Sequence, residues 1–324
     1  MHLTSSRPAG LSRAAGALIA CTTLVALGST AGRARASPGR PLPAAFIAMP
    51  DGAPEAVLWD GAHHRLYVID NTGNRIWRWT DAGGLVAWAT LPLPAGATSL
   101  SPRVTLGQAA LLADGTLVVA RFGEPGGGAS GIAWVRPDGT AGLVPNLDPG
   151  VLRLGVAVAP DGTIYGSTFK SKEGVGLVGT ITRVSLGSGE TLVADGFGKL
   201  VGLVVAGERL YVSDQSNGKI LDAPLGALPP HAGDWHVLAT LVKPDQICAG
   251  PAGGLFSGQF EAGTGSSASM AIRWITGAGA VTPFRQDPDV SRPSGLAYDP
   301  RRRRLFAADS GNLAHVGVHV FPVP

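Results

Sequence analysis

Glu55 is the residue of this sequence most suited to chemistry, because it stands between Pro54 and an apolar strand. A carboxylate in that setting must be solvated, paired or bound to something. Glu55 therefore has one of two roles. It contacts a ligand or substrate, or its carboxylate is hydrogen-bonded within its own loop. Asp245 follows Lys243 and Pro244, and it either takes a similar role or pairs with Lys243.

Other chemistry-bearing residues form no familiar catalytic motif. The chain has no Gly-x-Ser-x-Gly elbow, which argues against a serine hydrolase of the α/β type. Residues 126–128 lack the Gly-Lys-Ser/Thr that completes a phosphate loop. His315 and His319 lie in a strand region without the third ligand that a catalytic zinc needs. Cys248 lies in an apolar strand and is expected in the core.

The first 36 residues are typical of a signal peptide. They contain four arginines and no acid, and a mostly apolar run extends from Ala14 to Leu27. That run is shorter than the roughly 20 apolar residues that a membrane-spanning helix needs. We expect cleavage after Ala36 or after Ala31, or alternatively lipoprotein processing at Cys21. The mature protein is then secreted, periplasmic or lipid-anchored through Cys21.

Composition narrows the class of the remaining chain, residues 37–324. Hydrophobic residues make up 45 % and charged residues 15 % of the 324-residue sequence, which argues against disorder. Without the four leader arginines the formal net charge of +3 becomes −1, so no basic surface for nucleic acid is expected. We expect the protein to be a monomer that does not span a membrane. Its ligand is expected to be a small-molecule substrate or a component of the cell envelope.

A repeat of about 47 residues runs through the chain. Each copy has a short apolar strand, a turn, and an apolar-aromatic strand that ends in a polar loop. The second strands begin at Leu66, Leu117, Ile164, Leu210, Leu255 and Leu305. No segment between them shows sustained helical periodicity, and each copy has room for four short strands.

These six copies predict an all-β fold, a six-bladed β-propeller with four-stranded blades. A propeller has to close its ring, because an open one leaves two unpaired sheet edges. Residues 45–49 are a candidate outer strand that completes the last blade beside residues 316–321.

Propeller geometry locates a site without any motif. The loop entering the innermost strand and the loop leaving the second strand open on one face, around the central channel. Polar residues at these places are candidates for binding, and Arg121 and Gln259 are predicted to contact substrate. Where the second strand ends in an aspartate, we expect that side chain to cap the turn that follows instead of binding substrate. The second-strand exits are Asp70, Arg121, Thr168, Asp214, Gln259 and Asp309.

Two segments resemble the gluconolactonase–regucalcin family of six-bladed propellers. One is residues 54–60 (PEAVLWD) followed by 65–70 (RLYVID), and the other is residues 243–248 (KPDQIC) followed by 254–256 (GLF). The resemblance extends over all six blades at low identity. It implies that Glu55 and Asp245 hold a divalent ion, usually calcium, over the channel and that the activity is lactone hydrolysis.

The chemistry suits these residue types. Carboxylate oxygens are hard ligands for Ca²⁺, and a bound ion polarises a carbonyl and lowers the pKa of a bound water. On this interpretation Glu55 is a ligand, and Asp245 is a ligand and the catalytic base. The sequence departs from the family at two ligand positions, where asparagines are replaced by Leu154 and by Val201 or Leu200. Arg153 and Glu173 are displaced counterparts of the family's substrate-binding arginine and glutamate.

A second resemblance is to NHL-type repeat propellers. It is carried by residues 67–76, 211–220 and 307–312, in which an aspartate ends the strand and a polar turn follows. In that group the aspartates are structural.

We therefore predict an exported, gluconolactonase-like propeller with a metal-dependent hydrolase site for lactones or related esters. Two alternatives remain open. One is a non-catalytic, NHL-like propeller of the cell envelope that binds protein or glycan. The other is a cyclase or lyase acting on an apolar metabolite, since Leu154 and Val201 would line the channel with hydrocarbon.

Overall fold

The strands form six sheets arranged in a ring. The computed structural model describes residues 45–49, 51–93, 105–123, 130–259, 272–285, 290, 293–309 and 316–324. Within these residues there are six antiparallel sheets of four strands each. Each sheet contacts the next through its first strand, and the last sheet contacts the first. The predicted six-bladed propeller with four-stranded blades is confirmed.

The described residues also contain three short 3₁₀ helices, Leu225–Ala227, Ala232–Asp234 and Pro251–Gly253. The strands, in chain order, are β1 (Ala45–Ala48), β2 (Pro54–Asp60), β3 (Arg65–Asp70), β4 (Arg75–Thr80), β5 (Gly84–Thr90), β6 (Leu106–Leu111), β7 (Leu117–Arg121), β8 (Gly131–Val135), β9 (Ala141–Leu143), β10 (Leu152–Val158), β11 (Ile164–Lys172), β12 (Gly176–Ser185), β13 (Gly189–Phe197), β14 (Leu200–Ala206), β15 (Arg209–Asp214), β16 (Lys219–Pro224), β17 (His236–Thr240), β18 (Pro244–Ala249), β19 (Leu255–Gln259), β20 (Ile272–Ile275), β21 (Val281–Arg285), β22 (Pro293–Asp299), β23 (Arg304–Asp309) and β24 (Gly317–Pro322). Blades 1 to 5 consist of β2–β5, β6–β9, β10–β13, β14–β17 and β18–β21, and blade 6 consists of β22–β24 with β1.

The hydrophobic core lies between facing blades. Second strands are covered on both faces, and the side chains of Leu66 to Ile69 in β3 are all 0 % exposed. This double burial explains why the second strands are continuous apolar-aromatic runs instead of alternating ones. Outer strands are more exposed, as at Val86 in β5, which is 53 % exposed.

The ring closes through the predicted pairing of the two ends of the chain. β1 pairs antiparallel with β24, from Ala45 opposite Val320 to Ala48 opposite Gly317. Ile47 and Met49 pack into the core between blades 6 and 1. The candidate outer strand is therefore confirmed as the fourth strand of the last blade.

Each innermost strand contains a β-bulge after its first pairing residue, or after its second in β10. In β2 the register slips between Pro54 and Ala56, and equivalent slips occur in the other five first strands. A bulged residue leaves the ladder and its side chain is redirected. The first bulged residues, one per blade, are Glu55, Gly107, Leu154, Val201, Asp245 and Ser294. These six residues form one ring of equivalent positions, which we call the mouth ring.

The first strands of neighbouring blades approach closely at the mouth ring. A Cβ atom on Gly107 would stand 2.4 Å from the carbonyl oxygen of Leu154 in the next blade. A Cβ atom on Gly295 would stand 2.4 Å from the Cα atom of Ala56. Neither position accommodates a side chain, so glycine is needed there for the blades to pack this tightly.

Candidate functional site

Glu55 occupies the mouth-ring position of blade 1 and is half-buried. Its carboxylate accepts a hydrogen bond from Asn71 Nδ2 at 3.2 Å. Its main-chain carbonyl accepts bonds from Gln246 Nε2 at 3.3 Å and from Ser294 Oγ at 2.8 Å. Side chains from blades 5 and 6 therefore hold the backbone of Glu55 in place.

Asn71 orients the carboxylate of Glu55. The Asn71 Oδ1 atom accepts the N–H of Leu106 at 2.5 Å, so its amide nitrogen is the group turned towards Glu55. Sequence reasoning missed Asn71, because the turn after β3 was interpreted only as a structural feature of the repeat. The signal was the polar turn of residues 71–74 directly after a second-strand exit.

Asp245 occupies the equivalent mouth-ring position of blade 5 and is also half-buried. The next residue, Gln246, is the one that reaches Glu55, so the two entering segments are joined by a direct hydrogen bond. The shared register gives Glu55 and Asp245 equivalent positions in the innermost strands of blades 1 and 5, and their roles stay predictions.

Leu154 and Val201 occupy the mouth-ring positions of blades 3 and 4. Leu200 is paired with Asp214 in the ladder, so Val201 is the bulged residue, which decides between the two registers left open by the sequence. Val201 is 3 % exposed and Leu154 is half-buried. The ring therefore combines two carboxylates with two hydrocarbon side chains.

Gln108, the residue after the mouth-ring position of blade 2, joins blades that are not neighbours. Its Nε2 donates to the carbonyl oxygen of Ile247 at 3.2 Å, and its Oε1 accepts the N–H of Leu203 at 2.8 Å. Gln108 belongs to blade 2, and Ile247 belongs to blade 5 on the opposite side of a six-blade ring. One glutamine side chain thus spans the axis, and sequence reasoning gave no indication of it.

The six second-strand exits are paired with the residues directly before the bulges of the innermost strands, and all of them are buried. Asp70 accepts the N–H groups of Ala53 at 2.9 Å and Thr72 at 3.0 Å. Asp214 accepts the N–H groups of Gly198 at 2.9 Å and Asn217 at 3.3 Å. The expectation that these two aspartates cap turns is confirmed.

The predicted substrate-binding residues lie around the mouth ring but not in it. Arg121 and Gln259 end their second strands and are 0 % and 4 % exposed. Gln259 Oε1 accepts the Nε–H of Arg273 at 2.5 Å. Arg153 is 1 % exposed and forms an ion pair with Glu190, and Glu173 is exposed in the turn between β11 and β12. Their roles towards a substrate stay predictions.

The carboxylates of Glu55 and Asp245 are oxygen ligands of the kind that a hard cation takes. Among the described residues, no group of three or more His, Cys, Asp or Glu side chains is arranged to hold a metal ion. Glu55 and Asp245 would supply two carboxylates, and water would complete the six to eight oxygens that Ca²⁺ takes.

His315 lies outside the described residues, whereas His319 is buried with its Nε2 atom 3.6 Å from Asp309 Oδ2. Burial raises the pKa of the Cys248 thiol, which confirms it as a core residue.

Two surface depressions lie away from the mouth ring. One, of about 540 Å³, is lined by residues that include Asp161, Arg183 and Thr191. The other, of about 530 Å³, is lined by residues that include Tyr298 and Arg303. Neither lining includes Glu55 or Asp245, so the candidate site is distinguished by its polar groups and its place on the propeller axis.

The architecture defines the class of protein: a six-bladed β-propeller with the fold of the gluconolactonase and regucalcin proteins. A gluconolactonase from Xanthomonas campestris is similar with a TM-score of 0.63 and 20 % identity, over 86 % of this chain and 88 % of that chain. A calcium-binding regucalcin from Agrobacterium tumefaciens has a TM-score of 0.60 and 14 % identity, over 86 % and 93 % of the two chains.

A PQQ-bound aldose sugar dehydrogenase from Streptomyces coelicolor shares the fold with a TM-score of 0.61 and 14 % identity, over 86 % and 96 % of the two chains. The chain matches no protein-family model and no curated protein sequence. No helix in the described part of the chain has the length and apolar character to cross a membrane.

Proposed function

We propose that the mouth ring is a divalent-cation site and that the protein hydrolyses lactones or related esters there. The observation that carries this proposal is the shared register, in which Glu55 and Asp245 are the first bulged residues of two innermost strands. Similarity to a gluconolactonase and to a calcium-binding regucalcin supports it at the level of fold.

Each part of the site has a chemical task in this proposal. A bound ion, Ca²⁺ by its preference for carboxylate oxygens, would polarise the ester carbonyl and lower the pKa of a bound water. Asp245 accepts the proton of the attacking water, and the proton then goes to the ring oxygen that leaves. Asn71 keeps the Glu55 carboxylate turned to the mouth, while Gln108 joins blade 2 to blade 5.

Export is part of the same proposal. The signal-peptide pattern of residues 1–36 and the possible lipid anchor at Cys21 support a periplasmic or secreted location. Those residues lie outside the part of the chain that the structure describes.

Metal-dependent stabilisation tests the site. We expect millimolar Ca²⁺ to raise the melting temperature (Tm) of the wild-type protein, because an ion that binds only the folded state stabilises it by about 1.4 kcal/mol at tenfold excess over Kd. Glu55→Gln and Asp245→Asn should remove this shift together with metal-dependent lactone hydrolysis. Glu208→Gln, which removes an exposed acid in the turn between β14 and β15, should retain both. A well-folded wild-type protein whose Tm is unchanged by Ca²⁺, Zn²⁺ and Mn²⁺ would exclude the cation site.

A non-catalytic envelope propeller is the second candidate function. It is favoured by the apolar Leu154 and Val201 positions, and among the described residues no group of three or more His, Cys, Asp or Glu side chains is arranged to hold a metal ion. A screen of lactones and related esters that gives metal-dependent product would exclude it. The cyclase or lyase alternative makes the opposite prediction, turnover of an apolar substrate that survives Glu55→Gln.

A further inference from the structure

Arg121 is a fully buried cation that has no counter-ion among the residues that the structure describes. It ends β7 in blade 2 and is 0 % exposed. Its Nη2 donates to Asn74 Oδ1 at 3.1 Å and to the carbonyl oxygen of Pro92 at 2.9 Å. Its Nε and Nη1 atoms have no hydrogen-bond partner, so three N–H bonds are unsatisfied.

Arg153 in the next blade is a buried guanidinium that has a carboxylate partner, although its Nε atom also has no hydrogen-bond partner. It is 1 % exposed, and its Nη1 donates to Ser130 Oγ at 3.1 Å and to the Asp148 carbonyl at 2.9 Å. Its Nη2 forms an ion pair with Glu190. The two arginines therefore share burial and differ in the presence of a carboxylate.

The buried charge of Arg121 has to be balanced by something. Burial lowers the pKa of Arg121 to about 10, and no charged neighbour opposes that effect. The side chain is still protonated at neutral pH, and an uncompensated buried charge costs several kcal/mol. Neutral acceptors such as carbonyl oxygens satisfy the N–H groups only, whereas an anion satisfies both the N–H groups and the charge.

Arg121 lies one blade from Glu55 on the same face. It is the ladder partner of Leu106, whose N–H binds the Asn71 amide that in turn binds the Glu55 carboxylate. An anion at Arg121 would therefore sit beside the mouth ring, connected to it through Asn71 and Asn74 of a single turn.

We propose that Arg121 is the receptor of a small monovalent anion, held by its Nε–H and Nη1–H groups. The shared chemistry is that of a halide ion and of the carboxylate end of an organic acid. The site depends neither on the cation at Glu55 nor on any hydrolytic activity, so it stands or falls separately from the proposed function.

Anion-dependent stability tests the site in the full-length protein. We expect chloride, formate and D-gluconate, titrated one at a time, to give a saturable rise in Tm for the wild-type protein. Arg121→Met should lose the saturable part, and Arg121→Lys, which keeps the charge, should retain a weaker one. Arg183→Met, which removes an exposed arginine of β12, should respond like the wild type and controls for ionic strength. Equal responses of wild type and Arg121→Met would overturn the proposal.

A crystal soaked in bromide provides a second measurement that needs no variant. An anomalous peak beside Arg121 Nε or Nη1 is expected, and its absence in crystals that bind bromide elsewhere would overturn the proposal. If only chloride and formate give a saturable rise in Tm, the ligand is a small free ion. A larger rise with D-gluconate would assign an organic acid as the ligand.

The sequence also places Glu124 three residues after Arg121, outside the described residues. If Glu124→Gln created a response that the wild type lacks, Glu124 would be the counter-ion and the anion site would be excluded.

Discussion

At the scale of single residues, the two ends of β2 carry acids with different tasks. Asp60 ends β2 on the face opposite the mouth ring, and its side chain is 1 % exposed. It accepts bonds from the N–H groups of Ala62 and His63, both at 3.1 Å, and from Arg65 Nε at 3.0 Å. Every lone pair is used within the hairpin, so this acid is structural, whereas the half-buried Glu55 faces the mouth ring.

The pKa of Asp60 leads to a pH prediction. Burial opposes ionisation of Asp60, but the bonds from His63 and the charge of Arg65 outweigh it and hold the pKa below the ordinary value of 3.8. A depressed folded-state pKa contributes stability above the unfolded value, and this contribution is lost as pH falls through the folded value. We expect Asp60→Asn to lower the free energy of unfolding by about 1–3 kcal/mol at pH 7.

The difference between wild type and Asp60→Asn should narrow as pH falls below about 4, because the unfolded state then binds a proton at Asp60 that the folded state still excludes. It should be lost once pH falls through the lower folded-state pKa, where Asp60 is uncharged in both states. Urea unfolding at pH 7, 4 and 3 measures it, and Glu208→Gln should stay close to wild type at each pH. A difference that persists unchanged down to pH 3 would show that the charge of Asp60 is not what stabilises the hairpin.

The sequence was sufficient to place Glu55, Asp245 and the six second-strand exits, because these positions depend only on the local strand and turn pattern. It was not sufficient for Gln108, Gln246 and Asn71. Their partners are Ile247, Glu55 and Leu106, which lie 139, 191 and 35 residues away. Side-chain contacts of that separation depend on how the blades pack, and no local pattern reports them.

At the scale of elements, the closing strand β1 pairs with a strand that is distant in the sequence. It has four residues and pairs with β24 across almost the whole chain length. A strand of that length is too short to be stable alone, so its packing against blades 6 and 1 has to hold it. Ile47 is the buried residue of β1, at 7 % exposure, and Ala48 beside it is exposed.

Ile47→Asp should therefore open the ring. A carboxylate at the Ile47 position would be buried without a partner, and we expect the free energy of unfolding to fall by about 2–5 kcal/mol. Freed β24 would present an unpaired edge, so the variant should also self-associate in size-exclusion chromatography. Ala48→Asp adds the same charge one residue away on the exposed side and should change stability by less than about 0.5 kcal/mol. Equal unfolding of the two variants would mean that β1 does not close the ring.

At the scale of the whole molecule, each blade packs mainly on its neighbours, and within the described ranges the Gln108 side chain connects blades on opposite sides of the ring. Each blade packs on its two neighbours, and the mouth ring repeats six times with different side chains. Gln108 is different, because it joins blade 2 to blades 4 and 5 through two hydrogen bonds. The geometry of the mouth ring should therefore depend on Gln108, although Gln108 is not a candidate ligand.

Gln108→Ala would leave the Leu203 N–H and the Ile247 carbonyl without their buried partner. Each unsatisfied buried group costs about 1–3 kcal/mol, although water entering the opened channel would offset part of this loss. We expect a lower urea midpoint together with faster hydrogen exchange at the amide of Leu203, measured by mass spectrometry or NMR. Gln259→Ala is the matched control, since Gln259 is equally buried but bonds to Arg273 within its own blade. If exchange at Leu203 is as slow in Gln108→Ala as in that control, Gln108 is not what protects this amide, and the geometry of the mouth ring does not depend on Gln108.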